Sequence, residues 1–159
     1  MDAGKLLGMA IVSLSEATRL GTVTDVLFAT GPLRVAALQA AGDGTGFVIR
    51  FELVRNLGTD AVTVESSQVT QVAGAGSTIG DLTGLARLRK LKVVDDAGTF
   101  VGTVHAARID PLTGSVVELA TRKGGVLGVG RNETVIPAAA IRTVGSDVLT
   151  VSTAASETD

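Results

Sequence analysis

Cysteine, tryptophan and tyrosine are absent from the 159 residues, histidine occurs once, proline three times, and four phenylalanines make up the whole aromatic complement. Without cysteine there is no disulfide framework and no thiolate nucleophile, a composition that fits a reducing, cytoplasmic setting. One histidine, His105, cannot by itself supply the three or four protein ligands of a zinc site, nor can it serve a serine nucleophile for which no G-x-S-x-G elbow is present. Single-stranded nucleic acid is held by stacking on aromatic faces and by a positive field. Four Phe and a net charge of −2 argue against nucleic acid as a direct partner. Long apolar runs are missing too: none approaches the roughly 18 to 20 residues of a spanning helix, and Met1–Lys5 does not open an export signal. The chain is expected to be soluble.

What is present is a repeat. Val48 to Val64 (VIRFELVRNLGTDAVTV) returns 87 residues later as Val135 to Val151 (VIPAAAIRTVGSDVLTV), with seven of seventeen positions identical, against about one or two by chance. Leu20-Gly21-Thr22-Val23 returns as Val101-Gly102-Thr103-Val104 at a separation of 81 and stays in step to Leu38 and Leu119. The difference of six residues is a single insertion in the second copy. Each half is near the smallest size at which one core sustains a domain, so the copies are expected to pack together, or each against a partner or a second molecule.

Short runs of Val, Ile, Leu and Thr punctuated by Gly, Asp and Asn predict an all-β chain. In the second copy strands are predicted at Leu91 to Val94, Thr99 to Ile109, Val116 to Thr121, Thr134 to Ile136 and Val148 to Ser152. Hairpin turns fall at Asp95 to Gly98 and Asp110 to Gly114, and a helical turn at Ala138 to Ile141. The first copy follows the same plan, with a turn at Phe51 to Arg55. The division is 1–72 for the first copy, 73–84 for a Gly/Ser/Thr linker, 85–153 for the second copy and 154–159 for a tail.

The series V-G-T-V, V-V-x-L, a glycine-rich loop, V-I-P and I-R-x-V-G-S-D-V-L-T-V resembles the PRC-barrel domain. That family includes the cytoplasmic part of the photosynthetic reaction centre H subunit and the C-terminal domain of a ribosome maturation factor. The first copy departs from the pattern at Ala17, where the second has Gly98, and at Arg50, where it has Pro137; it carries Asp25 where the second has Ala106. The resemblance implies two small barrels of about six strands each, with a short helical turn before the last strand. It implies a non-catalytic interaction or assembly module of a bacterial or archaeal type, docking on a protein or peripherally on a membrane complex. No active site, cofactor or metal comes with it; association with RNA or the ribosome is the reading that the ribosomal relative raises.

Two groups of residues stand out as candidate contacts. Arg87, Arg89, Lys90 and Lys92 crowd four of the nine Lys/Arg of residues 81–159 into RLRKLK; their alternation with Leu88 and Leu91 reads as a solvated strand edge or an anionic partner surface. Phe100 stands where the first copy has Arg19, which makes it either a cap on the core or a contact residue. The loop Gly124 to Glu133 forms an alternative anion site, with Gly128, Gly130 and Arg131 as its donors. Asp95-Asp96 precedes Ala-Gly and reads as turn chemistry.

Overall fold

The computed structural model describes residues 1–42, 44–72, 81–124 and 132–152. The first copy builds β1 (Ala10–Ser13), β2 (Thr18–Thr30), β3 (Leu33–Ala41), β4 (Gly46–Arg50), β5 (Val54–Leu57), β6 (Ala61–Val64) and β7 (Gln71–Val72). β8 (Thr83–Gly84) and one helical turn, α1 (Leu85–Leu88), lead into the second. That copy continues with β9 (Lys92–Asp95), β10 (Phe100–Ile109), β11 (Val116–Lys123), β12 (Asn132–Pro137), β13 (Ile141–Val144) and β14 (Val148–Val151). The sheet orders are β5-β6-β1-β2-β3-β4-β7 and β12-β11-β10-β9-β14-β13, with β8 added to β2. Both copies share one unusual feature: the first strand pairs in parallel with the last, β1 with β6 and β9 with β14.

The expected all-β pair with its helical turns is observed. One strand in each copy was not expected: the segment after each 3-10 turn, Phe51–Leu53 or Ala138–Ala140, is itself a strand, β5 or β13, folded back on the last strand. The basic run also differs from expectation. Leu85, Leu88 and Leu91 are all buried, so three-residue spacing, not alternation, governs the local structure, and Arg87 lies in α1. β9 is no edge, since β10 and β14 flank it.

Equivalent positions of the two copies fill one continuous core: Leu6 and Leu88, Ile11 and Val93, Val23 and Val104, Phe28 and Ile109, Leu38 and Leu119, Ile49 and Ile136, Val62 and Leu149. Burying each such side chain stabilises by roughly 1.5–3 kcal/mol, and pooling them in one core offsets the smaller fraction of surface that a half-sized domain buries alone. Close strand packing accompanies the V-G-T-V signature. A Cβ on Gly21 would lie 2.5 Å from the Ala41 carbonyl oxygen, and one on Gly102 would lie 3.0 Å from that of Arg122.

The copies are related by a local two-fold. Arg34 bridges Ser115, its own equivalent at the separation of 81, and an antiparallel bridge between equivalent residues requires such an axis. Each copy also lends its leading segment to the other's long strand. Gly84 pairs with Leu27 and Thr83 with Phe28; Asp2 pairs with Arg108, the Met1 ammonium donates to the Ile109 carbonyl, and the Ile109 amide donates to the Met1 carbonyl. Phe51 of the first copy packs on Gly114 of the second. The repeat is thus an interlocked pair.

Candidate interaction face

Because strand residues alternate faces, the buried Val93, Val104 and Leu149 leave their neighbours on the other side of the second sheet. One row across that side runs Val148, Lys92, Thr103, Arg122 and Glu133, each opposite the next. The adjoining row holds Val94 and Phe100. Phe100 is 38% exposed, and Lys123 Nζ stands 5.8 Å from its ring centroid. A cation over an exposed ring is worth about 0.5–1 kcal/mol, enough to orient the ring without covering it.

The charges are unevenly spent. Arg122 pairs with Glu133 at 3.4 Å and Arg142 with Asp96 at 3.3 Å. Lys92 and Lys123 have no carboxylate within ion-pair distance among the described residues. The same face of the first copy is different in kind. Its row reads Ala61, Ala10, Thr22, Ala41 and Gly46, with Gly42 in place of Lys123 and with Arg19, which donates to Thr22 Oγ1, in place of Phe100. Backbone geometry is shared; Lys92, Arg122, Lys123 and the Phe100 ring belong to the second copy only, and the first copy places Arg19 where the ring stands.

Of the residues singled out in the sequence, Phe100 and Lys92 therefore meet on one face. Arg87 and Lys90 are exposed but sit on and just after α1, away from the strand row. Arg89 is turned inward: its guanidinium lies over Gly4, and its Nε is buried with no hydrogen-bond partner, so it serves the junction between copies. Gly128, Gly130 and Arg131 fall outside the described residues. Arg122 and Lys123 are adjacent in the sequence, but only the β10–β11 register brings them beside Lys92 and Phe100.

The acids resolve into structural roles. Asp95 accepts from the amides of Ala97 and Thr99 at 3.0 and 2.9 Å, which closes the β9–β10 hairpin. Its counterpart Ser13 does the same for β1–β2 through Glu16, accepting from its amide and donating to Oε1. Glu16 also accepts from the Ser67 amide and hydroxyl. The Ser67 amide above all, then the Ser13 and Ser67 hydroxyls, holds the Glu16 carboxyl below its ordinary value. His105, partly exposed, is the extra residue of a bulge in β10 between Val104 and Ala106. Among the described residues no group of three His, Asp or Glu converges as a metal site would require, and no helix is long and apolar enough to cross a membrane.

Comparison with known proteins gives one result. A family model described as the PRC-barrel domain matches residues 1–71 and again residues 81–157. No curated protein matches the chain.

Proposed function

From the premise that the chain belongs to the PRC-barrel domain family, as two tandem copies, we propose that it is a non-catalytic interaction module that docks on a protein partner through the outer face of its second copy. One observation carries this reading: Phe100, Lys92, Lys123 and Arg122 stand where the structurally equivalent face of the first copy has Arg19, Ala10, Gly42 and Ala41. None of the four is needed by the fold, because the first copy folds the same way without them. Aromatic and arginine side chains are what interface hot spots are made of. The partner surface that complements this face is apolar at its centre and acidic around it. RNA is disfavoured by the scarcity of stacking residues and the net negative charge.

The test is affinity capture from the native cell with the wild-type chain and with Phe100→Arg, which installs the first copy's residue. A stoichiometric protein retained by the first and lost by the second, at equal melting temperature, supports the reading. A partner retained equally by both removes the face from it.

A further inference from the structure

We propose that the cleft between the leading segment of the first copy and strands β10 and β11 of the second is a binding site for a small carboxylate-bearing molecule. The cleft has a volume of about 400 Å³ and is lined by Asp2, Lys5, Ala106, Arg108, Glu118 and Ala120 among others. That is within the range of roughly 300–1,000 Å³ in which proteins take small ligands.

The local two-fold provides an internal control. Ala106 and Ala120 lie opposite one another in the β10–β11 ladder, and their equivalents in the β2–β3 ladder are Asp25 and Gln39. At the first-copy junction the Asp25 carboxylate reaches across to the Leu85 amide at 3.0 Å and so occupies the space above its strand. At the second-copy junction the capping acid has moved to the leading segment, where Asp2 accepts from the Gly4 amide at 2.8 Å. At these two ladder positions the second copy has only methyl groups, and the space that the Asp25 carboxylate occupies in one copy is part of the cleft in the other.

The charges around this opening specify the occupant. Arg108 lies between two acids, opposite Asp2 on one side and Glu118 on the other, with Nη1 3.7 Å from Glu118 Oε2. Lys5 has no carboxylate within ion-pair distance among the described residues. The Met1 ammonium, also in the lining, donates to the Ile109 carbonyl at 3.1 Å, and Arg108 is taken up by Glu118; the remaining cation, Lys5, over an alanine floor suits a single negative charge on a short aliphatic body. A phosphate carries more charge than Lys5 neutralises and would face Asp2 and Glu118.

The experiment is an amide NMR titration of the full ¹⁵N-labelled chain with butyrate, butyramide and inorganic phosphate. Butyrate is expected to give saturable shifts at Lys5, Ala106, Arg108 and Ala120 in the millimolar range, with butyramide and phosphate about tenfold weaker or more. Lys5→Gln should weaken butyrate to the level of the amide. Ala120→Gln, which puts back the first copy's residue, should abolish the shifts while the rest of the spectrum stays in place. No saturable response to butyrate, equal binding of butyramide or phosphate, or shifts that persist in Ala120→Gln would each overturn the assignment.

Discussion

Asp25 of the first copy caps the helical turn that Gly84 opens in the second: its Oδ1 accepts from the Leu85 amide at 3.0 Å and the Ala86 amide at 3.4 Å. A Cβ at Gly84 would collide with Asp25 Oδ2, so a side chain there would displace the capping carboxylate. At the pseudo-equivalent junction the roles are reversed, with Asp2 as the capping residue and Ala106 lining the same cleft. An acid on the strand is matched by glycine on the leader, and an acid on the leader by alanine on the strand.

Asp25→Ala is therefore expected to lower the unfolding free energy by about 1 kcal/mol, the usual value of an N-cap. Gly84→Asp alone should also destabilise, since it adds a second carboxylate to occupied space. The double substitution recreates the Asp2 and Ala106 arrangement and should recover most of both losses. Urea unfolding of the four chains measures the coupling, and strict additivity of the two losses would contradict it.

Ala17 carries the left-handed φ of +52° at the hairpin position where the second copy has Gly98 at +83°. A Cβ in that region costs about 1–2 kcal/mol, of which part returns as lost chain entropy when glycine is introduced. Ala17→Gly should stabilise by about 0.5–1 kcal/mol in the same unfolding assay.

Glu16 ties the β1–β2 hairpin to the turn at Ser67, and its folded-state carboxyl is held below the ordinary value, first by the Ser67 amide. A depressed folded pKa makes a contribution that is present above the unfolded-state pKa, about 4.3 for glutamate, and is lost as pH falls through the folded value. Glu16→Gln should thus be less stable than wild type at neutral pH. The two melting curves should converge in acid; a difference that does not shrink as pH falls would contradict this.

Because the two copies share one core, damage to one must be felt by both. Phe28 is fully buried in the first copy, and Phe28→Ala should cost about 3–5 kcal/mol. Hydrogen exchange should show the loss equally at Val93 and Leu149 in the second copy, within a single unfolding transition. Protection retained in the second copy alone would show that the halves fold independently.

The long strands and their turns were legible because apolar alternation and glycine punctuation mark them directly: β2, β3, β10 and β11 fall where the pattern places them, within a few residues. β5 and β13 were not legible. Each is four residues long with both inner positions exposed, and only the adjacent strand reveals it. RLRKLK carries two periods at once, and burial of Leu85 with Leu88 and Leu91, not the alternating arginines, decides for the helical turn. Asp25 against Ala106 stood in the sequence only as a difference between the copies; it is a cap supplied by one copy to the other, visible only once the junction is formed. For the interaction face, Phe100 and Lys92 stood out from their own segments, whereas Arg122 and Lys123 join them only through cross-strand register.

Residues 19 and 100 are the same place on two copies of one fold, which makes them matched reporters for the docking proposal. A photo-activatable cross-linker placed in turn at Arg19 and at Phe100 of the full chain, and activated in the native cell, measures which face meets a partner. A discrete protein adduct from position 100 and none from position 19 is the predicted result. Adducts from both positions, or from position 19 alone, would contradict the assignment of docking to the second copy.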